Sequence, residues 1–239
     1  MSEYWLSRAE LLVGEENLQE LAKVHVAVVG IGGIGGFAVE CLARAGVGKL
    51  TLVDGDVIEE SNRNRQLVAL RSNDTKPKAQ EMAERCKDIS PSIEVAVVQK
   101  FLDPDNLQEL GLETADYILD CIDTLTPKTL LIQYAKSRSI PIVSCLGAGG
   151  KFDPSQVKVT DISKTYNCTL ARAVRKRLYK LGIRKGVEVV FSPEPVDKTR
   201  LLRTDGSNYK KSSLGTISYM PPLLGLHAAS VVIRKIIQQ

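Results

Sequence analysis

The sequence holds five cysteines, Cys41, Cys86, Cys121, Cys145 and Cys168, and none of them forms a C-x-x-C pair. Odd in number and widely spaced, they argue for a reducing cytosol and against a structural zinc site. No stretch approaches the ~20 apolar residues of a membrane-crossing helix. The most apolar region, residues 219–233, is interrupted by Pro221, Pro222 and His227, and reads as a buried terminal helix. The opening MSEYWLSRAE lacks the basic-then-apolar pattern of a secretory leader, so a cytoplasmic location is expected. Of the two histidines, His25 opens a predicted strand and His227 lies in the apolar terminal segment, positions that suit structural duty. Internal repeats and low-complexity tracts are also absent. One further absence is local: residues 162–187 contain no Asp or Glu, yet include Arg172, Arg175, Lys176, Arg177, Lys180, Arg184 and Lys185.

What is present suits a globular α/β protein. At 239 residues, 44% hydrophobic and 25% charged, the chain is long enough for one large domain. Residues 1–150 are expected to form its nucleotide-binding core, and residues 151–239 a sheet extension, a basic helix and a mobile loop. The net charge of +4 is mild, so a polyanionic partner would meet a local patch rather than a basic surface all round.

The densest signal lies in residues 24–54. VHVAVV reads as a buried parallel strand, GIGGIGG as a tight turn, residues 37–45 as a helix, and KLTLVD as a second strand. Gly30, Gly32 and Gly35 occupy the three positions of G-x-G-x-x-G, with Gly33 between them. The first permits the turn, the second lets a phosphate approach the backbone, and the third lets helix and strand pack closely. An anion is expected at the start of the following helix, with Asp54 placed for a ribose hydroxyl.

Two short helices, broken at Gly14, are predicted ahead of this unit. Beyond it the spacing predicts a polar loop from Asp54, too charged to be core, then an exposed amphipathic helix over 77–89 and a strand over 93–98. A short helix opens at Asp103-Pro104 through a cap followed by proline. Next come a strand over 115–119, a helix from Thr126 and a strand over 140–145 that runs into GAGG. This alternation predicts a doubly wound, mostly parallel, Rossmann-like sheet. Short strands at 157–159 and 187–191 read as additions to the sheet, antiparallel as a possibility, with a basic helix over 169–181 between them. Residues 198–213 read as a mobile loop.

The loop after Asp54 separates nucleotides. Asp56, Asn62, Arg65 and Gln66 precede Lys78, and two cations returning to the carboxyl edge of the sheet can bracket a triphosphate; a nicotinamide pyrophosphate needs less positive charge. Asp123, at the tip of the fourth strand, can hold Mg2+, which prefers one or two carboxylates plus phosphate oxygens. For the cation-rich helix, contact with RNA phosphates is the natural use of Arg172, Arg175, Lys176, Arg177 and Lys180.

From Ser7-Arg8 through GIGGIG, DGD, SNRNRQ and KPK to DCID, the chain resembles the adenylyltransferase superfamily of ubiquitin-activating enzymes and the bacterial activators of thiamine and molybdopterin biosynthesis. The resemblance implies Asp54 on the ribose, Asn62, Arg65 and Lys78 on the phosphates, and Asp123 on magnesium beside the α-phosphate. It implies an Arg8 that crosses a homodimer into the partner's site. The zinc cysteines of the thiamine and molybdopterin branch are missing. GAGG at residues 147–150, Asp153-Pro154, Val159-Thr160-Asp161 and Phe191-Ser192 resemble instead the tRNA threonylcarbamoyladenosine dehydratases.

That resemblance implies ATP-dependent cyclisation of a modified adenosine in tRNA, through an acyl adenylate and without a nucleophilic cysteine. The implied ligands are ATP and Mg2+, with a monovalent cation at GAGG as a further candidate; the implied partners are tRNA and a second copy of the chain, with a sulfur-transfer protein as a candidate. Two other readings compete. One is an activator of a ubiquitin-like sulfur-carrier protein, in which Cys145 or Cys168 would carry sulfur, and the other is an NAD-dependent oxidoreductase.

Overall fold

The computed structural model describes residues 4–197, 199, 201–203 and 212–238. Strand β1 (His25–Val29) is buried along its whole length. A strand of that kind requires a hydrogen-bonded neighbour on each edge and helices on both faces. β2 (Lys49–Val53) and β4 (Tyr117–Asp120) pair with it in parallel, Ala27 lying opposite Thr51 on one side and Ile118 on the other. β3 (Glu94–Val98) extends the sheet beyond β2. On the other side come β5 (Ile142–Cys145), then β7 (Glu188–Phe191), then β6 (Lys158–Asp161). The order 3-2-1-4-5-7-6 reverses direction between β1 and β4, so the crevice outside their carboxyl ends is the topological switch point where such sheets bind ligands.

Two layers cover the sheet. α2 (Glu15–Lys23), α3 (Gly35–Arg44), α4 (Lys78–Ile89) and α7 (Met220–Ile236) contribute Leu21, Leu42, Met82 and Leu224 to one core. α5 (Leu125–Ser137) and α6 (Thr169–Lys180) contribute Leu131 and Val174 to the other. α7 crosses α3 with almost no gap, since a Cβ added at Gly225 would lie 2.2 Å from the Ile34 carbonyl oxygen. The apolar terminal segment is thus a core helix, and among the described residues no helix is long and apolar enough to cross a membrane.

The expected elements are present, including the pair of short helices around Gly14, α1 (Ser7–Val13) and α2. Three expectations need correction. β7 is parallel to β5, because α6 serves as its crossover, and only β6 is antiparallel. Asp103 accepts the N–H groups of Asp105 and Asn106 as a cap does, but only a single 3₁₀ turn (Leu107–Glu109) follows. The charged loop after Asp54 has a core of its own, with Ile58, Asn62 and Gln66 all buried. Most of the 198–213 segment read as a mobile loop, including Lys198, Arg200, Lys210 and Lys211, lies outside the described residues; within it, β8 (Leu201–Arg203) pairs with β9 (Ser212–Leu214).

Candidate active site

The glycine turn adopts the shape that its spacing implies. Gly30 has φ +92° and lies against the end of β4, where a Cβ would meet the Cys121 carbonyl at 3.0 Å. A Cβ at Gly35 would lie 1.8 Å from the Gly30 carbonyl oxygen, so helix and turn close together only with glycine there. Gly32 is different: its nearest neighbour is Nε2 of Gln66 at 3.8 Å, which leaves room above the first turn of α3. The N–H groups of a first turn have no intrahelical acceptor, and together with the helix dipole they form an anion site.

Asp54 ties β2 to this turn. Its Oδ2 accepts the N–H of Ile31 at 2.6 Å, and its Oδ1 that of Asp56 at 2.8 Å. Burial pushes its carboxyl above the ordinary carboxylate range, against the lowering pull of the Asp56 N–H, the Lys78 ammonium and the Ile31 N–H. Lys78, at the first position of α4, is itself buried and donates to Asp56 Oδ2 at 2.9 Å. Its cation is therefore held at the sheet edge by a carboxylate rather than left on a free surface.

The SNRNRQ loop folds down onto the turn. A Cβ at Gly33 would touch the Arg65 carbonyl at 3.1 Å and the Arg65 Cγ at 3.4 Å. The Arg65 guanidinium donates to the Ser61 carbonyl and to Asn64 Oδ1, and among the described residues no carboxylate neutralises it. Arg63, two positions away, is spent on Glu60 and Asp74. Asn62 is buried and accepts the Glu59 N–H, which fixes the loop. Gln66 is buried with its Oε1 unpartnered. A buried acceptor left open costs free energy, so this orphan atom beside the roomy Gly32 marks where a polar ligand fits. The residues present suit a nucleotide: an acid at the strand end, helix N–H groups, and one uncompensated cation.

Asp123 lies exposed just past β4, beside the same crevice. A buried network absent from the sequence reading supports it from below. Lys128 on α5, fully buried, donates to Asp120 Oδ2 at 2.7 Å, to the Cys145 carbonyl at 2.9 Å and to Ser144 Oγ at 3.3 Å. Asp120 also accepts the Ser144 hydroxyl and the N–H of Ile122. The one available signal was a lysine three and four positions before Leu131 and Ile132, on the apolar face of its helix.

The basic helix divides. Arg172, Lys176, Arg177 and Lys180 are exposed, and Arg177 reaches Thr126 Oγ1 at 2.7 Å, which brings α6 to the start of α5 just beyond Asp123. Arg175 was read as a phosphate contact, but its guanidinium turns back onto the Thr165 carbonyl at 2.6 Å and secures the segment before α6. Arg8 is exposed on α1. The preceding Leu6 packs on Gly46, at the amino edge of the sheet, so Arg8 is not brought to the glycine turn of its own chain.

Cys145 is fully buried, and Cys168 is spent as the cap of α6, its sulfur accepting the Ala171 N–H. His25 is likewise structural, its ring nitrogens 2.8 Å from Thr51 Oγ1 and 3.0 Å from the Thr114 carbonyl. Among the described residues, no group of three or more His, Cys, Asp or Glu could hold a metal ion.

The chain is 39% identical to the tRNA threonylcarbamoyladenosine dehydratase of Bacillus subtilis over 227 residues, 92% of this chain and 89% of that one. It is 43% identical to the enzyme of that name from Escherichia coli over 204 residues, 81% and 76% of the two chains. The crystal structure of the E. coli tRNA N6-threonylcarbamoyladenosine dehydratase in complex with ATP superposes with a TM-score of 0.88 at 38% identity, covering 99% of this chain and 96% of that one. Residues 6–239 match the ThiF family, and to that family the chain belongs.

Proposed function

We infer that this chain is an ATP-dependent enzyme that cyclises threonylcarbamoyladenosine in tRNA through adenylation of the substrate carboxylate. The observation that carries this reading is the convergence at one switch point of Gly32, Asp54, the orphan Gln66 oxygen and the uncompensated Arg65. ATP there would have its ribose at Asp54 and its phosphates at the first turn of α3. A substrate carboxylate oxygen attacks the α-phosphorus and pyrophosphate leaves. The carbamoyl group of the modification then loses a proton as it bonds to the activated carbonyl carbon, and AMP departs. The net change in the substrate is the loss of one water. Positioning and phosphate charge stabilisation suffice, with no thioester.

Finer assignments belong to the same reading. Asp123 would hold Mg2+ on the phosphates, since one carboxylate with phosphate oxygens suits that ion. Arg65 and Lys78 would stabilise charge on the α-phosphate. Arg172, Lys176, Arg177 and Lys180 would contact tRNA phosphates. The chain would act as a homodimer in the cytoplasm, with Arg8 entering the partner's site; Leu11 and Leu12, both 83% exposed on the same helix as Arg8, supply an apolar contact surface. A monovalent cation at GAGG and a sulfur-transfer partner complete the set. The test is to incubate the protein with ATP, magnesium and tRNA carrying threonylcarbamoyladenosine, then to follow by mass spectrometry the loss of one water. Pyrophosphate exchange that requires a carrier protein rather than tRNA would overturn the reading.

A further inference from the structure

Beside the Arg65 loop lies a cavity of about 370 Å3, lined by residues 150–152, 194–195, 197 and 214–217. Sites for small organic ligands occupy roughly 300–1,000 Å3, so it is large enough for one. Its wall is tied to the Arg65 loop, because Asn64, the neighbour of Arg65, donates to the carbonyl of Thr216 at 3.0 Å.

Inside sits Lys151, 3% exposed. Its ammonium donates to the Glu194 carbonyl, and among the described residues it forms no ion pair with a carboxylate. The Glu194 carboxylate is turned elsewhere, accepting the N–H groups of Phe152 at 2.8 Å and Asp153 at 3.0 Å. Burial lowers the affinity of Lys151 for its proton, with only partial compensation from Cys168 and Glu194. Glu194 and Asp197 line the same cavity, but among the described residues neither carboxylate forms an ion pair with Lys151, and a buried ammonium with donors to spare is costly unless a ligand supplies an anion. At the mouth, the Phe152 ring is 53% exposed, on a backbone held by the Tyr219 hydroxyl, which donates to the Phe152 carbonyl at 2.8 Å. An exposed, anchored aromatic ring at a polar cavity offers a stacking surface for an unstacked base.

We propose that this cavity receives the modified nucleoside, with Lys151 pairing the threonyl carboxylate and Phe152 stacking on the purine. The proposal rests on the adenylation reading and identifies where its second substrate sits. A carboxylate must approach an anionic triphosphate before it can attack, and pairing with Lys151 offsets that repulsion.

The test compares two probes on the full chain, free threonylcarbamoyladenosine and its analogue with a carboxamide in place of the carboxylate. The wild-type protein should prefer the acid by about tenfold to a hundredfold, the range of one charge-assisted hydrogen bond. Lys151→Met should bring the ratio near one, and Lys151→Arg should restore part of it. ATP affinity should stay unchanged in both. Phe152→Ala should weaken acid and amide alike, and serves as the second variant if Lys151→Met fails to fold. A Lys151→Met protein that keeps the wild-type preference, or a wild-type protein that shows none, overturns the assignment. Failure of the wild-type protein to dehydrate modified tRNA at all would instead remove the adenylation reading, so the two failures are distinguishable.

Discussion

Lys128 and Asp120 meet at 2.7 Å with neither side chain exposed to solvent, directly beneath the carboxyl ends of β4 and β5. Both charges are out of water, and the carboxylate also holds the N–H of Ile122, next to Asp123. Breaking such a pair by removing one partner strands the other, at a cost of about 3–5 kcal/mol. Lys128→Met should therefore lower unfolding stability by that amount in urea titration. A loss below about 1 kcal/mol, the range of exposed pairs, would show that the network contributes little.

Asp54 carries the nucleotide prediction. Its acceptors hold the glycine turn, and its position at the end of β2 is one where ribose hydroxyls bind. Asp54→Ala should weaken ATP binding in a protein that remains folded by circular dichroism. Unchanged affinity by calorimetry would defeat the assignment.

The same carboxyl sets a pH dependence. Its folded-state pKa is raised by burial, so protonation favours the folded form: its stabilising contribution is present below the ordinary carboxylate value of about 3.9 and is lost as pH rises through the raised value. The melting temperature of Asp54→Ala relative to wild type should accordingly improve between about pH 4 and pH 7. A difference that stays flat or falls over that interval contradicts the direction of the shift.

Among the described residues no carboxylate neutralises Arg65, and it lies against Gly33. Removing one preorganised charge from a site of this kind costs ~10²–10³ in rate. Arg65→Ala should lose pyrophosphate release by that factor while still binding ATP. Near-normal turnover would return Arg65 to an ordinary surface loop.

Cysteine is predicted to be dispensable for chemistry. Burial holds the Cys86 thiol at about 12, and Cys121 is raised by its hydrogen bond to Cys145 and by burial. Serine or alanine at each of the five positions should leave dehydration intact, with some loss of stability at the buried ones. A folded Cys145 or Cys168 variant that adenylates but cannot complete the cyclisation would point to a sulfur-carrier mechanism.

For RNA, the exposed set is Arg172, Lys176, Arg177 and Lys180, while Arg175 is half-buried and donates to Thr165. Reversing these four to glutamate should weaken tRNA binding severely and flatten its salt dependence, each lost phosphate contact removing ~0.7–0.9 from the log–log slope. ATP affinity, measured on the same preparation, should hold. An unchanged salt slope would move the RNA surface elsewhere on the molecule.

The sequence by itself determined the nucleotide-binding half, because its signals are local. The valines of β1 and the spacing of Gly30, Gly32 and Gly35 each impose backbone geometry within a few residues of themselves, and Asp54 directly follows its strand. Which partner each charged side chain takes was decided only by tertiary structure. Of two arginines in SNRNRQ, packing commits Arg63 to Asp74 and leaves Arg65 without an acid among the described residues. Within one basic helix, the turn before it claims Arg175 and leaves its neighbours at the surface. Lys128 meets Asp120, and Lys151 lines a cavity without pairing a carboxylate among the described residues, because whether a lysine ends in water, on a carboxylate or in a cleft depends on which segments fold over it. Residue spacing along the chain carries no record of that.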